Sequence, residues 1–160
     1  MIRTYGLHWH MNRVFWGKPN NPGSLLGTAS RSQKARPVDF RYQRGIYALY
    51  ADYDLVYIGQ AGLGDHRLYN RLKSHRSDHL SERWNRFSWF GTQWVTKQGE
   101  LSKDTASVNL DISAALNLLE YLSISIAEPR LNLQRGKRGT AKQYFQYWER
   151  TTLNETEIRA

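Results

Sequence analysis

The chain has 160 residues, with 23 Lys and Arg against 14 Asp and Glu, a net charge of +9 and no cysteine. This length suits one compact domain with a modest extension, and the lack of cysteine excludes disulfides, Cys-ligated zinc, iron–sulfur clusters and a thiolate nucleophile. No apolar run approaches the ~20 residues that span a bilayer, and the N-terminus lacks the apolar centre of a secretory signal, so we expect a soluble, cytoplasmic protein.

The basic residues are concentrated in two stretches. Residues 31–44 and 130–142 together carry a net charge of +9, which equals the charge of the whole chain. Lys and Arg clustered without matching acids create a field suited to a polyanion such as nucleic acid. The alternative is a solvated basic face that only keeps the protein soluble. The six Trp, ten Tyr and five Phe favour an aromatic core over a surface for stacking bases.

The first 43 residues form an N-terminal extension that shows no regular hydrophobic period. A short apolar segment around Trp16 is followed by glycine, proline and asparagine between residues 17 and 27, and these residues favour turns. We predict an irregular extension with one or two short strands. It contains too few apolar residues to fold alone.

The main domain is predicted over residues 44–152. Residues 46–50 and 55–58 are β-branched and aromatic runs joined by a short polar turn, a pattern typical of a hairpin. A glycine-rich break precedes a helix in which Leu68, Leu72 and His75 form an inward stripe.

The second half adds one strand and two helices. Aromatic residues on alternate positions predict a strand from Phe87 to Val95, and the most apolar stretch of the chain predicts a helix over residues 112–127. Its core candidates include Leu116, Leu119 and Ile126. Residues 144–148 are predicted to be helical, and 153–160 form a polar tail. The fold class is therefore α/β (α+β), with a small three-stranded, mainly antiparallel sheet flanked by helices.

Five side chains have the chemistry that phosphodiester hydrolysis requires. The reaction needs a base for water, a cation against the growing charge, an oxygen ligand for a metal and a group beside the phosphate. Arg71 and His75 are one helical turn apart, so their side chains can converge. Glu120 has apolar neighbours on its predicted helix, so we expect a buried carboxylate, and such a group needs an explanation. The candidates are Tyr47, Tyr57, Arg71, His75 and Glu120.

These residues occur in an order that resembles the GIY-YIG nuclease superfamily over residues 44–135. Gly45-Ile46-Tyr47 and Tyr57-Ile58-Gly59, with nine residues between them, resemble its two signature strands. Arg71 and His75 resemble its helix motif, Glu120 its metal-binding glutamate, and Pro129 with Asn132 its closing motif. A GIY-YIG-like fold is the expectation that follows.

The resemblance also implies a role for each residue. Tyr47 would deprotonate or orient the attacking water, Tyr57 would lie beside the scissile phosphate, and Arg71 would stabilise the transition state. His75 would assist in proton handling or phosphate contact. Glu120 would hold one divalent cation, Mg²⁺ or Mn²⁺. The site-supporting residues would be Gly45, Gly59 and Asn132, with the two glycines allowing close approach where a Cβ would intrude.

The expected function is a divalent-metal-dependent endonuclease that hydrolyses phosphodiester bonds, with DNA rather than RNA as the expected substrate. Its nucleic-acid-binding residues are predicted to be Arg76, Arg83, Arg86, Arg130, Arg135, Lys137, Arg138 and Lys142. A homodimer is possible if both strands are cut, and no membrane partner is expected. The rival functions are an RNA-cleaving toxin or defence effector and a non-catalytic nucleic-acid-binding module of the same fold.

Each site residue also has a simpler interpretation. Tyr47 and Tyr57 can be a packed cross-strand pair, Arg71 and His75 can be solvated helix residues, and Glu120 can be a buried carboxylate paired with an arginine. Arg67, one turn before Arg71, is a second candidate for the arginine, and His79 for the histidine. His8 and His10 lack an evident third ligand, which argues against zinc.

Overall fold

The computed structural model describes residues 2–32, 35–62, 64–103, 112–127 and 139–149. The described residues form an α+β fold with two α-helices, two sheets and two short 3₁₀ turns. The helices are α1 (Leu68–Ser74) and α2 (Ile112–Ala127). The strands are β1 (Thr4–His10), β2 (Leu26–Thr28), β3 (Val38–Asp39), β4 (Gly45–Ala51), β5 (Asp54–Ala61), β6 (Arg86–Gly91), β7 (Lys142–Gln143) and β8 (Phe145–Gln146).

The larger sheet has five strands in the order β5-β4-β6-β1-β7. The β4–β5 hairpin and the β4–β6 and β1–β6 pairs are antiparallel, whereas β1 and β7 are parallel. The predicted hairpin and third strand are therefore confirmed, but the predicted count of three strands is wrong. Two further strands join the sheet from the ends of the chain, and local patterns give no sign of such distant partners.

The N-terminal residues are more ordered than the predicted irregular extension. β1 lies inside the larger sheet, and β2 pairs with β3 and β8 in a separate three-stranded antiparallel sheet. That part of the prediction is wrong because β1 satisfies its backbone groups with β6 and β7, far away in sequence. The division at residue 43 stays a prediction, although both sides of it contribute to one core.

Two clusters of buried side chains cover the two faces of the larger sheet. Successive residues of a strand point to opposite faces, and along β4 Tyr47 and Leu49 enter one cluster while Ala48 and Tyr50 enter the other. The first cluster packs under α1 and the smaller sheet, and the second under α2. The two helices therefore lie on opposite faces.

Two of the three predicted helices are present, but the buried face of α2 differs from the predicted one. Leu68, Leu72 and His75 are buried as their spacing predicted. In α2, Ile126 is buried, whereas Leu116 and Leu119 are each 60 % exposed. These two leucines are wrong as core candidates because the helix instead turns Tyr121, Leu122 and Ile126 towards the sheet, where they belong to the second cluster.

The last aromatic segment is extended rather than helical. Phe145 and Gln146 form β8 and pair with Thr28 and Gly27. The helix predicted over residues 144–148 is wrong because this segment gains backbone hydrogen bonds from β2, which its own sequence does not reveal.

Several predictions fall outside the described part of the chain. They concern the tail at 153–160, Lys34 of the first basic stretch, the Pro129–Asn132 motif, and the basic residues Arg130, Arg135, Lys137 and Arg138. Within the described ranges, no helix combines the length and the apolar character that a membrane crossing requires.

Candidate active site

Pairing of β4 with β5 brings the two signature tyrosines onto one face of the sheet. Tyr47 lies opposite Gly59, and Leu49 lies opposite Tyr57. The two tyrosines are therefore diagonal neighbours, and their ring centroids are 6.2 Å apart. A Cβ built on Gly59 would overlap the hydroxyl end of the Tyr47 ring. Glycine is thus required at this position so that the Tyr47 ring can cross over β5.

Gly45, at the start of β4, must be glycine for a different structural reason. Its φ is +148°, and a Cβ there would collide with the carbonyl of Phe90 on the neighbouring strand. Both signature glycines therefore permit close approach, as predicted, but the groups that approach are a tyrosine ring and a backbone carbonyl of the protein itself.

α1 brings the arginine and the histidine to the same place. The helix ends at Ser74, and His75 follows as its C-terminal cap, with its N–H donating to the carbonyl of Arg71. The His75 ring is 3 % exposed and packs edge-on against Tyr57, with ring centroids 4.9 Å apart. Because Leu68 and Leu72 anchor the helix in the first cluster, the ring is fixed in position.

Two hydrogen bonds hold the His75 ring from opposite sides. Its Nε2 lies 2.8 Å from the hydroxyl oxygen of Tyr47, and its Nδ1 lies 2.7 Å from Oδ2 of Asp78. The carbonyl of His75 also accepts a hydrogen bond from the indole N–H of Trp84 at 3.0 Å. Tyr47, His75 and Asp78 thus form one continuous hydrogen-bonded chain.

Arg71 interacts with both phenols. Its interaction with the Tyr47 hydroxyl, opposed by burial and assisted by Tyr57, raises the pKa of Arg71. Burial raises the pKa of Tyr47, and the nearby Arg71 guanidinium offsets this only in part. Tyr47 is therefore a protonated phenol at neutral pH, beside a fixed positive charge that would stabilise its phenolate.

The pocket is enclosed at Tyr47 and more open at Tyr57 and Arg71. Tyr47 has no exposed surface, whereas Tyr57 and Arg71 are half-buried. The buried Nε of Arg71 finds no hydrogen-bond acceptor among the described residues. An anion approaching from solvent would therefore meet Arg71 and Tyr57 first.

Glu120 lies apart from these four residues. It belongs to α2, whose buried residues pack on the opposite face of the sheet, and its own side chain is exposed. The expectation of a buried carboxylate is wrong because Glu120 shares the outward side of the helix with Leu116 and Leu119.

The described side chains do not fit a metal site built on Glu120 within the Tyr47 pocket. In the parts of the chain that the structure describes, no three His, Asp or Glu residues group together in a way that could hold an ion. The residues that converge are two phenols, a guanidinium and an imidazole.

The predicted nucleic-acid-binding residues lie in different places. Arg76 follows α1 and is exposed, with its guanidinium 4.8 Å from the centre of the Trp16 ring, and Arg83 is exposed in the next loop. Arg86 is half-buried and donates to Nε2 of His10 at 2.8 Å. Lys142 lies in β7, at the edge of the sheet remote from β5. Arg76 is therefore the one of these four that directly follows the helix of the pocket.

The second candidates for arginine and histidine have other surroundings. Arg67 precedes α1 and donates to the carbonyl of Tyr42 at 2.9 Å, while His79 is exposed. The spacing between Arg71 and His75 therefore identified the residues that contact Tyr47. His10, one of the two histidines near the N-terminus, accepts a hydrogen bond from Arg86.

Sequence reasoning missed Asp78 and Trp84. The segment after His75 has no periodic pattern, and an aspartate there is common in turns. The one available signal was the spacing of three residues between His75 and Asp78, which allows a local hydrogen bond near a helix end.

Comparison with known proteins found no matching family model, no matching curated protein and no matching solved structure. The function of the chain is therefore inferred from its own residues and their geometry.

Proposed function

We propose that the protein is a divalent-metal-dependent endonuclease of the GIY-YIG type that hydrolyses phosphodiester bonds in DNA. The observation that carries the proposal is the convergence of Tyr47, Tyr57, Arg71 and His75 in one pocket, from two strands and a helix. The sequence resemblance to the GIY-YIG motifs had identified these four residues together with Glu120.

The geometry supports a distinct role for each of the four side chains. Tyr47 takes a proton from the attacking water, and His75, in hydrogen-bond contact with it, assists that transfer. Tyr57 and Arg71 are the more accessible groups, and they contact the scissile phosphate. Arg71 offsets the charge that grows on the phosphate oxygens in the transition state.

Substrate is held by basic residues at both ends of α1. Arg41 lies beside the first turn of α1, because its carbonyl accepts the backbone N–H of Tyr69. Its side chain pairs with Asp39 at 3.3 Å. Arg76 follows the helix and stacks on Trp16. Since phosphate contacts carry no sequence information, this surface fixes the position of the strand and leaves specificity to other contacts.

Dependence on a divalent cation is the part of the proposal that rests on the sequence resemblance alone. Glu120 is its candidate ligand, and in the structure it lies on the other side of the sheet from the pocket. A Mg²⁺ titration of cleavage by wild type and by Glu120→Gln tests whether Glu120 is a metal ligand. A higher Mg²⁺ requirement in the variant supports the ligand role, and an unchanged requirement removes Glu120 from the site.

The direct test is a cleavage screen with supercoiled plasmid, branched DNA, single-stranded DNA and RNA, each with Mg²⁺, Mn²⁺ or EDTA. The variant Arg71→Ala is compared with Lys73→Ala, which removes an exposed cation from the same helix. We expect Arg71→Ala to slow cleavage by about 10²–10³-fold and Lys73→Ala to cut almost like wild type. The proposal fails if wild type cuts no substrate, or if both variants lose activity equally.

A second candidate, metal-independent cleavage of RNA, is favoured by the position of Glu120 outside the pocket. In RNA the neighbouring 2′-hydroxyl can attack the phosphate, so a base and a cationic side chain suffice without a metal-activated water. RNA cleaved in EDTA to a 2′,3′-cyclic phosphate end would select this function, whereas DNA cleavage that EDTA abolishes would select the first.

A further inference from the structure

Asp78 supplies a carboxylate to the hydrogen-bonded chain of the pocket. Its Oδ1 accepts the backbone N–H of Leu80 at 2.8 Å, and its Oδ2 faces Nδ1 of His75 at 2.7 Å. Although burial opposes ionisation, the Leu80 N–H and the His75 ring outweigh it, so that the pKa of Asp78 lies below its ordinary value. Asp78 is thus an anionic acceptor whose two oxygens have fixed and separate partners.

We propose that Asp78 is a positioning residue that holds His75 in the tautomer protonated at Nδ1, so that Nε2 offers its lone pair to the Tyr47 hydroxyl. An ionised carboxylate can only accept hydrogen bonds, so the proton between the two groups belongs to Nδ1. In the neutral imidazole the other nitrogen is then an acceptor, and Tyr47 is the donor. The contact with Trp84 fixes the backbone of His75 in the same orientation.

The consequence for catalysis, which rests on the proposed nuclease function, is a path for two protons. Burial raises the pKa of Tyr47, so its phenol can take a proton from water only by giving up its own. As the water oxygen bonds to phosphorus, its proton passes to the Tyr47 oxygen and the phenolic proton passes to Nε2 of His75. The bond from phosphorus to the leaving oxygen breaks, that oxygen takes a proton from solvent, and the imidazolium beside Asp78 returns one to solvent.

One isosteric variant reverses the hydrogen-bond polarity between residue 78 and His75 while it keeps the conformation of the loop after α1. In Asp78→Asn, the amide oxygen can keep the hydrogen bond from Leu80, and the amide NH₂ then faces Nδ1 of His75. The opposite rotamer is disfavoured because it would set the NH₂ against the Leu80 N–H. Nδ1 must therefore become an acceptor, the proton moves to Nε2, and His75 can no longer accept the proton of Tyr47.

The tautomer is measured directly, without substrate, from the ¹⁵N chemical shifts of the His75 ring at about pH 8, above the ordinary histidine pKa. His75→Gln assigns the signals among the five histidines. We expect a protonated Nδ1 in wild type and a protonated Nε2 in Asp78→Asn. Glu82→Gln, which removes an exposed carboxylate four residues further on, should leave the wild-type pattern. A protonated Nε2 in wild type, or the same tautomer in both proteins, overturns the inference.

Cleavage by the same variants tests the catalytic consequence separately. The wrong tautomer costs about 10⁴-fold in a Ser–His–Asp triad, and we expect Asp78→Asn to lose at least about 10²-fold while Glu82→Gln cuts normally. If wild type cuts nothing, the nuclease proposal fails, yet the ring shifts still decide the role of Asp78. If Asp78→Asn inverts the tautomer and cuts as well as wild type, the proton path is wrong.

Discussion

Tyr47 is at once a core residue and the proposed base. Its ring has no exposed surface and belongs to the first buried cluster, and its hydroxyl lies at hydrogen-bond distance from His75. Loss of that hydroxyl leaves Nε2 of His75 buried without its partner, and an unsatisfied buried group costs about 1–3 kcal/mol. Stability and chemistry therefore depend on the same oxygen atom.

Tyr47→Phe is expected to reduce both properties, because the ring packing stays and the hydroxyl is lost. We expect a fall of about 1–3 kcal/mol in the free energy of unfolding and a loss of about 10²–10⁴-fold in cleavage, measured by urea denaturation and initial rates. The matched control is Tyr50→Phe on the same strand, which removes a buried hydroxyl that donates to Ile126 on the other face. Equal losses of cleavage in both variants would contradict the assigned role of Tyr47.

The elements that follow from local patterns were predictable, and those that depend on distant pairing were not. The spacing of Leu68, Leu72 and His75 defined the buried side of α1 in advance. α2 was predicted over its observed span, but it is apolar around most of its circumference, so its period could not indicate which side packs on the sheet. β1 and β8 depend on partners far away in sequence, and such pairings leave no local signal.

The same division holds for the candidate site. The glycines beside Tyr47 and Tyr57 and the four-residue spacing of Arg71 and His75 were enough to predict the four residues that converge. Asp78 was not predictable, because its role depends on the path of the loop after the helix. The burial expected of Glu120 was wrong because it depended on the rotation of α2 about its own axis.

The orientation of α2 is testable by a matched pair of leucine truncations. Leu122 is 8 % exposed and Leu119 is 60 % exposed. We expect Leu122→Ala to lower the free energy of unfolding by about 2–4 kcal/mol and Leu119→Ala by less than about 1 kcal/mol, as measured by denaturant titration. The reverse order would mean that the helix is rotated, and Glu120 would then face the sheet.

The contact between β1 and β6 gives stability a pH dependence. His10 and Arg86 are paired across the two strands, and burial, followed by the charges of Arg86 and Arg13, lowers the pKa of His10 from 6.5 to about 4. Between these values the unfolded chain binds the proton and the folded chain does not. The stability that neutral His10 contributes to the folded protein is therefore complete above pH 6.5 and is lost as the pH falls towards 4.

Thermal unfolding between pH 7 and pH 4 checks this effect. His10→Gln retains an acceptor for Arg86 but cannot be protonated, so its melting temperature should fall less over this interval than that of wild type. His79→Gln, which changes an exposed histidine, is the control and should follow wild type. Identical slopes in wild type and His10→Gln would rule out His10 as the cause.

The whole molecule carries a net charge of +9. The resulting electrostatic field should determine how tightly the protein binds a polyanion more than which nucleotide sequence it selects. Each phosphate that a Lys or Arg neutralises releases counterions, so affinity falls linearly in log–log form as salt rises. Trp16 stacks under the guanidinium of Arg76, and Arg76 remains exposed at the surface.

Arg76→Gln is expected to weaken binding of duplex DNA uniformly across sequences, because it removes one phosphate contact. The slope of log affinity against log salt should become shallower by about 0.9, as measured by fluorescence anisotropy from about 50 to 200 mM salt. Arg86→Gln is the comparison, since Arg86 is already engaged with His10, and its slope should change less. A slope unaltered by Arg76→Gln would place the substrate away from the end of α1.

The most direct measurement of the central claim is a double-mutant cycle between Tyr47→Phe and Arg71→Ala in single-turnover cleavage. Because the proposal places Tyr47 at the attacking water and Arg71 at the phosphate of one transition state, their effects should be strongly non-additive, and the double variant should be no slower than about the slower single variant. Losses that multiply would mean that the two residues act independently. Single variants that both cut at the wild-type rate would show that this pocket is not the active site.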